Sequence, residues 1–477
     1  MPETRPGTAA IAAATPRLRD IFGDDLLPAD DPAAAAYADD RSKFYTPAPG
    51  AVVWPRRAAQ LQQLVALAID AGLALVPSGG RTGLSGGAVA ARGEVLVSFE
   101  RMRAIADFQP LDRSVRCEPG VITAELQAFA ESRGLYYPVD FASSGSSQIG
   151  GNIATNAGGI KVIRHGLTRE RVAALEVVTG RGDLLRLNGR GLVKNATGYD
   201  LRQLFIGAEG TLGFITAATL RLAAAPPAQR VMVVGAPSIE ALMQLLDAFQ
   251  RELALSAFEF FSDRALGRVL ARGQVPAPFA ARCPLYALIE FDAPGEAEEA
   301  AALRVFEDCL AAGCALDGVL SQSEQQARQL WRLREDLSET LAEFTPYKND
   351  LSVCVHQIPD FIAACDEVIS AAYADFEVLW YGHIGDGNVH LNILKPADWS
   401  AADFKARCER VNAQLFPLVE RFGGSISAEH GVGLIKRDYL IHSRSAAEID
   451  YLRAVKAVFD PHAVMNPGKL LAVEVTD

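Results

Sequence analysis

Two short histidine-containing segments carry the residue types best suited to metal chemistry. The first runs from His383 to His390 with the sequence His-Ile-Gly-Asp-Gly-Asn-Val-His, and the second, Ser-Ala-Glu-His-Gly, begins at Ser427. Two neutral imidazoles and a carboxylate are the ligand set of an open Zn²⁺ site. We therefore predict that His383, His390 and Glu429 bind Zn²⁺ or another divalent ion. The alternative is that these histidines are ordinary polar residues of the fold.

The spacing of the first pair decides which local structure could bring its imidazoles together. A helix would place these side chains about 10 Å apart, which is too far for one ion with bonds of ~2 Å. A hairpin fits better, because residues 378–381 and 389–394 have the composition of strands and Asp386-Gly387 suits a two-residue type I′ turn. In that register His383 directly faces His390, with Cβ atoms about 5 Å apart.

Composition places the chain among globular proteins of two or three domains. It has 477 residues, of which 49% are hydrophobic, and a formal net charge of −12. This charge disfavours nucleic acid, whose binding depends on neutralising phosphates, and an anionic substrate would need a local cationic pocket. The seven cysteines are scattered without a Cys-x-x-Cys pair. We expect a cytoplasmic protein without a secretory signal or a transmembrane segment.

The predicted elements form the scaffold for these residues. A strand–helix–strand unit over residues 51–77 leads into a glycine-rich loop at residues 78–87. Two further glycine-rich stretches lie at residues 143–159 and 205–213. After a break at residues 223–227, strands alternate with helices and glycines become rare, which indicates an antiparallel sheet backed by helices.

The three glycine-rich loops indicate a large ligand that contains phosphate. Backbone N–H groups can approach phosphate oxygens closely where no Cβ interferes. The first loop follows a predicted strand, but it is neither a Walker A loop nor a Gly-x-Gly-x-x-Gly dinucleotide turn. The second loop also carries the polar side chains Gln148, Asn152, Thr155 and Asn156. Each loop alone could be a simple turn, whereas three in one domain fit a flavin dinucleotide.

Several motifs are similar to those of the vanillyl-alcohol oxidase / p-cresol methylhydroxylase superfamily of flavoproteins. The segment from Pro77, Pro-Ser-Gly-Gly-Arg-Thr-Gly, resembles its pyrophosphate loop, and the segments that begin at Ile149 and Gly207 resemble its later FAD motifs. The two histidine segments and the Asn-Pro-Gly-Lys tail from Asn466 resemble the branch that oxidises D-2-hydroxy acids. The resemblance covers residues 45–470 and implies an FAD-linked D-2-hydroxy acid dehydrogenase.

The resemblance assigns a set of residues to the flavin site, most of them in the three glycine-rich loops. The implied cofactor-binding residues are Pro77, Ser78, Gly79, Gly80, Arg81, Thr82, Gly83, Leu84, Ser144, Gly145, Gln148, Ile149, Gly151, Asn152, Thr155, Asn156, Gly158, Gly159, Glu209, Gly210, Ile215 and Asn466. Covalent attachment in the superfamily often uses a histidine in the first loop. That loop has Arg81 and no histidine here, so the resemblance implies noncovalent FAD.

The same resemblance assigns the substrate site. Residues 334–338, Arg-Glu-Asp-Leu-Ser, and residues 347–350, Tyr-Lys-Asn-Asp, resemble segments that hold the distal carboxylate of D-2-hydroxyglutarate. The corresponding residues are Arg334, Ser338 and Lys348, with Ser338 in the place of a threonine found in some members. An arginine can bind a carboxylate with two hydrogen bonds. Without the resemblance, these cations would be taken for solvated surface charges.

The implied reaction is the oxidation of D-2-hydroxyglutarate to 2-oxoglutarate. The metal would bind the α-hydroxyl and the C1 carboxylate and would lower the pKa of the hydroxyl. His430 would remove the proton as general base, because a neutral imidazole titrates near neutral pH, and Asn392 would orient the substrate. Hydride would pass to flavin N5, and the electrons would leave to an external acceptor such as electron-transfer flavoprotein or quinone.

The implied fold class is α+β. We expect an N-terminal helical segment at residues 1–45, a two-part FAD-binding domain at 46–222, a substrate-binding domain with a ferredoxin-like antiparallel sheet at 226–425, and a C-terminal segment at 426–477 that completes the active site. The sequence leaves a homodimer open. It also leaves two other functions open: a D-lactate, D-malate or glycolate dehydrogenase on the same scaffold, and a zinc hydrolase whose glycine loops bind another ligand.

Overall fold

The computed structural model of the chain describes residues 8–472, which form fifteen α-helices and eighteen β-strands. The strands are β1 (Leu26–Pro28), β2 (Ala51–Val53), β3 (Leu75–Ser78), β4 (Val95–Ser98), β5 (Ile105–Gln109), β6 (Ser114–Cys117), β7 (Leu135–Tyr136), β8 (Val172–Thr179), β9 (Leu184–Leu187), β10 (Gly213–Arg221), β11 (Ala223–Ala224), β12 (Gln229–Ala236), β13 (Leu255–Ser262), β14 (Leu285–Asp292), β15 (Asp317–Leu320), β16 (Tyr347–Ser352), β17 (Val378–Gly382) and β18 (Asn388–Ile393). The helices are α1 (Thr8–Phe22), α2 (Ala34–Tyr37), α3 (Ala58–Ala71), α4 (Thr123–Glu131), α5 (Ile149–Thr155), α6 (Val162–His165), α7 (Thr168–Arg171), α8 (Arg202–Phe205), α9 (Ile239–Glu252), α10 (Asp263–Ala271), α11 (Glu296–Ala311), α12 (Glu324–Ala342), α13 (Ile358–Ala372), α14 (Ala401–Arg421) and α15 (Ala446–Phe459).

The chain divides into two compact units. The first unit comprises the chain up to Gly158, Leu167–Ala225 and the residues from Glu429 onward. The second unit comprises Gly159–Gly166 and Pro226–Ala428. The sequence analysis did not predict that Gly159–Gly166 would belong to the second unit.

The expected terminal segments differ from this division in detail. The C-terminal segment was expected from residue 426, whereas the division lies between Ala428 and Glu429. The N-terminal segment at residues 1–45 is expected to be helical; within it, residues 26–28 form β1, where pairing with β2 outweighs local preference. Residues 1–7 and 473–477 of the two expected segments lie outside the described residues.

A mixed four-stranded sheet in the first unit contains the predicted strand–helix–strand unit. Its strand order is β1-β2-β4-β3, with β1 antiparallel to β2 and with β4 parallel to both β2 and β3. Helix α3 connects β2 to β3 and buries Leu61, Leu64 and Ala68, which share one face at helical spacing. The helix ends at Gly72, whose φ of 65° is the left-handed conformation of a helix C-cap. Strand β3 then leads directly into the first glycine-rich loop.

A second sheet of this unit is antiparallel and has five strands in the order β5-β6-β10-β8-β9. Helix α5, which carries part of the second glycine-rich loop, packs on this sheet through Ile149 and Ile153. The third loop ends at β10, whose first residue is Gly213. All three glycine-rich loops therefore begin or end on regular elements, which hold them in place.

The second unit is built on one antiparallel sheet of seven strands in the order β15-β12-β14-β13-β17-β18-β16. Helix α12 packs on this sheet and buries Leu330, Leu333, Leu337 and Leu341 at spacings of three and four residues. The structure thus agrees with the expected antiparallel sheet backed by helices. No helix among residues 8–472 combines the length and the apolar character needed to cross a membrane.

The hairpin of β17 and β18 differs from its predicted register. His390 lies opposite Tyr381 rather than His383. The connection is not a two-residue type I′ turn, because Ile384–Asp386 form a 3₁₀ turn and Gly387 follows with a φ of 91°. The longer connection buries the isoleucine side chain completely, at 0% exposure. His383 lies one residue beyond the end of β17, and its ring centroid is nevertheless 5.3 Å from that of His390.

Candidate flavin and substrate sites

Three residues form a row across neighbouring strands on one face of the second unit's sheet. Asp350 of β16 pairs with His390 of β18, which pairs with Tyr381 of β17. The Nδ1 atom of His390 lies 3.5 Å from an Asp350 carboxylate oxygen, and its ring centroid lies 5.2 Å from that of Tyr381. Asp350 also accepts a hydrogen bond of 2.9 Å from the side-chain amide of Asn388. The buried His390 ring is therefore oriented by a carboxylate and an aromatic ring.

A second buried carboxylate orients His383. One oxygen of Glu259, a residue of β13 that is 1% exposed, lies 2.8 Å from His383 Nδ1. The other oxygen lies 2.9 Å from the Nε atom of Arg334. The rings of His383 and His390 are nearly perpendicular, with centroids 5.3 Å apart. The structure thus brings together the two predicted histidine ligands, each with a carboxylate beside its Nδ1 atom.

Lys348 and Asn392 lie opposite each other on β16 and β18, two residues along the same face from Asp350 and His390. Asn392 is 0% exposed, and among the described residues neither its amide nitrogen nor its amide oxygen has a hydrogen-bond partner. The side chain of Lys348 is half-buried and forms no ion pair or hydrogen bond with another described residue. Because buried polar groups in proteins are nearly always hydrogen-bonded, this pair is suited to a polar ligand.

The two other predicted substrate ligands, Arg334 and Ser338, lie on adjacent turns of α12 and both approach Tyr381. The guanidinium carbon of Arg334 lies 4.8 Å from the centroid of the Tyr381 ring. The hydroxyl of Ser338 lies 3.5 Å from the Tyr381 hydroxyl. Arg334 is 6% exposed and faces Glu259, so it is not a solvated surface charge. Tyr381 therefore contacts both the helix residues and His390.

In the first unit, the glycine-rich loops pack against one another. Gly80 of the first loop approaches Ser146 of the second so closely that a Cβ atom would collide with the Ser146 carbonyl oxygen. Gly210 of the third loop has a φ of 71°, and a Cβ atom there would collide with the ring of Pro77. Glycine is required at both positions because only glycine permits these approaches. Gly79 also lies near the second loop, where a Cβ atom would be 3.6 Å from the Cα atom of Gly151.

Several polar atoms around these loops fit an additional polar ligand. Ser78 Oγ, Gln148 Oε1 and Asn466 Oδ1 are buried and have no hydrogen-bond partner among the described residues. At Gly145 and Gly151 a Cβ atom would meet nothing within 4 Å, so the backbone there borders open space. Buried oxygen atoms without partners are rare in native proteins. Together with the open glycine backbone, they fit the FAD that the sequence implies.

Other predicted flavin residues have side chains that the protein itself engages. Ser144, Asn152, Thr155 and Asn156 hydrogen-bond within the unit, and Ile215 packs in the core of the five-stranded sheet. The Asn152 amide, for example, donates a bond of 2.7 Å to the hydroxyl of Thr123. These side chains hold the loops in shape, a role that the sequence did not indicate.

Arg81 also has partners within the first unit. It has a φ of 57°, forms an ion pair of 2.9 Å with Glu100 and lies 4.9 Å from the ring centroid of Tyr37. The remaining predicted flavin residues are the partly exposed Thr82 and Leu84, the exposed Gly83, and the buried Gly158 and Gly159. The last two lie on either side of the division between the units.

Glu429 and His430 begin the last part of the first unit. The Nε2 atom of His430 lies 3.7 Å from a Glu429 oxygen, and both side chains are half-buried. The carbonyl oxygen of His430 accepts a hydrogen bond of 2.6 Å from the Ser85 hydroxyl. In the second unit, the preceding residue Ala428 donates its backbone N–H to the carbonyl oxygen of Asp350 over 3.4 Å.

Asn466 of the Asn-Pro-Gly-Lys tail forms hydrogen bonds with both the first and the third glycine-rich loop. The Asn466 amide nitrogen donates to the carbonyl oxygens of Gly87, at 2.9 Å, and of Glu209, at 2.8 Å. Lys469 is 2% exposed, and its Nζ lies 4.0 Å from a Glu94 oxygen. Burial lowers the pKa of Lys469 to about 8, although the negative charge of Glu94 opposes this shift.

The side chains of Lys348, Asp350, Asn392, His390 and Tyr381 form what we call the polar face of the second unit's sheet. Sequence reasoning missed Asp350 and Tyr381 of this face, and it also missed Glu259 beside His383. Asp350 could have been found, because the two-residue period of a strand places it on the face of Lys348. Glu259 precedes His383 by 124 positions, so no local signal connects them. Tyr381 lies in the predicted hairpin, but the incorrect register did not place it opposite His390.

Known protein families match both parts of the chain. Residues 49–188 match the FAD binding domain family. Residues 225–470 match the family described as the C-terminal domain of FAD linked oxidases. The chain therefore contains both domains of an FAD-linked oxidoreductase, which confirms the class that the motifs indicated.

Similar proteins define the branch of this class. A protein from Stutzerimonas stutzeri named D-2-hydroxyglutarate dehydrogenase is 59% identical over 437 residues, covering 92% of this chain and 94% of the relative. One of the same name from Xanthomonas citri is 53% identical over 434 residues, covering 91% and 92%. A glycolate oxidase subunit from Bacillus subtilis is 33% identical over 439 residues, covering 91% and 92%. The chain belongs to the D-2-hydroxyglutarate dehydrogenase-like family of FAD-linked oxidoreductases.

Solved structures confirm the α+β fold that the sequence implied. The 4-ethylphenol oxidase from Gulosibacter chungangensis has a TM-score of 0.77 at 16% identity, with 98% of each chain covered. A p-cresol methylhydroxylase has a TM-score of 0.76 at 15% identity, with 97% of each chain covered. At such low identity these similarities establish the fold alone.

Proposed function

We propose that this protein oxidises D-2-hydroxyglutarate to 2-oxoglutarate with noncovalent FAD and a divalent metal ion. The observation that carries the proposal is the pair of Lys348 and Asn392, which lack polar partners among the described residues and share a sheet face with His390. A half-buried cation beside a fully buried amide suits an anionic, hydrogen-bonding ligand. On a chain with a net charge of −12, this is a local positive site for a dicarboxylate.

Lys348, Arg334 and Ser338 hold the distal carboxylate in this proposal. The approach of Arg334 and Ser338 to the same tyrosine, Tyr381, supports a shared role for the two helix residues. The Nε atom of Arg334 faces Glu259, so its terminal N–H groups make the contact with substrate. Asn392 orients the substrate through its amide, whose two polar atoms have no partner among the described residues.

The proposed metal ligands are His383, His390 and Glu429. Each histidine has a carboxylate beside Nδ1, the arrangement in which Nε2 binds a metal and the carboxylate holds the ring. Glu429 follows Ala428, whose backbone is bonded to Asp350. When bound, the metal supplies Lewis acidity that lowers the pKa of the substrate's α-hydroxyl. His430 then removes the hydroxyl proton as general base.

The proposed flavin residues are the set that the resemblance implies, namely those in the three glycine-rich loops together with Pro77, Ile215 and Asn466. When bound, FAD would supply the hydride acceptor at N5, and an external acceptor such as electron-transfer flavoprotein or quinone would take the electrons. Covalent attachment in the superfamily often uses a histidine in the first loop, and Arg81 stands there in this chain, so we expect the cofactor to be noncovalent. We also predict that the protein is cytoplasmic, and a homodimer is the oligomeric state that the sequence leaves open.

A second candidate is a dehydrogenase for glycolate, D-lactate or D-malate on the same scaffold. It is favoured by the 33% identity to the glycolate oxidase subunit of Bacillus subtilis. Glycolate and D-lactate have no distal carboxylate, so a partnerless Lys348 on the polar face favours the dicarboxylate substrate over these two.

Anaerobic mixing with a panel of hydroxy acids tests the proposed function. The purified protein is mixed with D- and L-2-hydroxyglutarate, D-malate, D-lactate and glycolate, and the loss of visible flavin absorbance is followed. We expect D-2-hydroxyglutarate to reduce the flavin with the highest kcat/KM and its L-isomer to be inactive. Faster reduction by glycolate or D-lactate would establish the second candidate, and a protein without flavin absorbance would overturn both.

A further inference from the structure

The carboxylate of Glu209 accepts hydrogen bonds from the backbone of Val432 and Gly433, which closely follow His430 in the chain. Glu209 lies in the third glycine-rich loop and is 8% exposed. Its Oε1 atom accepts a hydrogen bond of 2.7 Å from the N–H of Val432, and its Oε2 atom accepts one of 2.8 Å from the N–H of Gly433. Both carboxylate oxygens are thus engaged by the polypeptide. Charge-assisted bonds of this kind are about twice as strong as neutral ones.

Glu209 is itself held rigidly on the other side. Its N–H donates to the carbonyl oxygen of Ala154 at 2.8 Å, and its carbonyl oxygen accepts from the Asn466 amide at 2.8 Å. Its backbone adopts a left-handed φ of 50°, which is uncommon for a residue with a side chain. The carboxylate therefore projects from a backbone that two neighbouring segments hold in place.

The segment after His430 is adapted to this carboxylate. Gly431 has a φ of 79°, and a Cβ atom at this position would lie 3.1 Å from the carboxylate carbon of Glu209. On the carbonyl side, the Ser85 hydroxyl lies 2.6 Å from the carbonyl oxygen of His430 and 2.9 Å from that of Gly431. The Ser85 hydroxyl therefore binds the carbonyl oxygens of residues 430 and 431, and the Glu209 carboxylate binds the N–H groups of residues 432 and 433.

We propose that Glu209 is a positioning residue that orients His430 by fixing the backbone of residues 431–433. This inference rests on the proposed role of His430 as general base. It differs from the sequence expectation for Glu209, which was contact with the flavin. The carboxylate acts through the polypeptide, and a misplaced imidazole would remove the proton less efficiently, since catalysis depends on hydrogen-bond geometry.

Hydrogen–deuterium exchange of the Glu209→Gln holoenzyme tests the anchoring directly. The amide keeps the shape of the side chain but turns one acceptor into a donor facing an N–H group. We expect the amides of Val432 and Gly433 to exchange at least about tenfold faster, because a charge-assisted bond is lost. Glu118→Gln is the matched control, since its carboxylate also accepts a backbone N–H, that of Ala104 at 2.8 Å. Exchange at Val432 and Gly433 should be unchanged in the control.

The catalytic consequence is measured on the same yellow, folded protein. We expect the limiting rate of flavin reduction by D-2-hydroxyglutarate to fall about tenfold or more with little change in the substrate concentration for half-saturation. Glu209→Asp should recover part of the rate. Ser85→Ala, which removes the bond on the carbonyl side, provides a second variant if Glu209→Gln does not fold, and it should lower the rate in the same way.

The outcomes separate this inference from the proposed function. Unchanged amide exchange in folded Glu209→Gln overturns the anchoring, whatever the substrate. Faster exchange with an unchanged rate of flavin reduction overturns the positioning of His430. Faster exchange in a protein whose wild-type form is never reduced by any D-2-hydroxy acid leaves the anchoring in place and overturns the proposed function.

Discussion

Two buried glutamates organise the two units in different ways. Glu209 in the first unit is 8% exposed, and its carboxylate oxygens accept hydrogen bonds from the backbone N–H groups of Val432 and Gly433. Glu259 in the second unit is 1% exposed and faces two side chains, those of Arg334 and His383. The first carboxylate holds the path of a loop, whereas the second holds the orientation and charge of functional side chains.

The two carboxylates therefore have different roles: Glu209 fixes a backbone segment, whereas Glu259 orients side chains of the proposed active site. Burial raises the pKa of Glu209, and the N–H groups of Val432 and Gly433, together with the positive charge of Lys436, oppose that shift by stabilising the charged form. The carboxylate of Glu259 faces the guanidinium of Arg334 at 2.9 Å. The same unit also contains Asn392, whose side-chain amide has no hydrogen-bond partner among the described residues. The second unit therefore has both side chains that the protein itself pairs and a buried amide that is suited to a ligand.

Metal removal should produce the largest effect, and it should affect the reaction rather than the folding of the protein. The proposed metal has three protein ligands and an open position, the pattern of a catalytic rather than a structural site. Chelation should abolish flavin reduction by D-2-hydroxyglutarate while circular dichroism and flavin absorbance stay unchanged. Added Zn²⁺ or a similar divalent ion should restore the rate. A metal-free protein that is reduced at the full rate would remove the metal from the mechanism.

Glu259→Gln should produce the next largest effect, on stability. The substitution leaves the buried Arg334 guanidinium without its counter-charge, and breaking a buried ion pair in this way costs about 3–5 kcal/mol of unfolding free energy. Chemical denaturation followed by tryptophan fluorescence measures the loss. The double variant Glu259→Gln/Arg334→Met should recover much of it, because the unpaired charge is then absent. A single variant as stable as the wild type would show that this pair does not hold the second unit together.

Glu259 also shows where sequence-based prediction ends. Local patterns predicted the strand–helix–strand unit that contains α3, an antiparallel sheet backed by helices, and the proximity of His383 and His390. They failed at the hairpin connection, because burial of Ile384 favours a longer turn than Asp386-Gly387 alone indicates. Contacts between distant segments, such as that of Glu259 with His383, depend on the packing of the whole sheet and leave no local pattern in the sequence.

Glu209 illustrates the opposite kind of limit. The resemblance of the segment from Gly207 to an FAD motif assigns Glu209 to the flavin. In the structure, the Glu209 carboxylate accepts hydrogen bonds from the N–H groups of Val432 and Gly433, which lie more than two hundred positions away in the chain. A motif therefore identifies a functional region, while the partner of each side chain follows only from the tertiary structure.

Lys348→Met should produce the smallest of these effects and the most specific one. The methionine keeps the length and apolar stem of the lysine but removes the charge that, in our proposal, binds the distal carboxylate. A charge-assisted hydrogen bond contributes roughly 1.5–3 kcal/mol, which corresponds to one to two powers of ten in rate. We therefore expect kcat/KM for D-2-hydroxyglutarate to fall by at least about tenfold. Activity on D-lactate, which has no distal carboxylate, should change little.

The matched control for this prediction is Lys405→Met, which removes a lysine paired with Glu409 on the surface of α14 in the same unit. It should leave kcat/KM unchanged for both substrates. If Lys348→Met lowers the two activities equally, Lys348 belongs to the chemistry common to all substrates. If neither activity changes, Lys348 is a solvated charge, and the polar face of the second unit selects its substrate through Arg334, Ser338 and Asn392 alone.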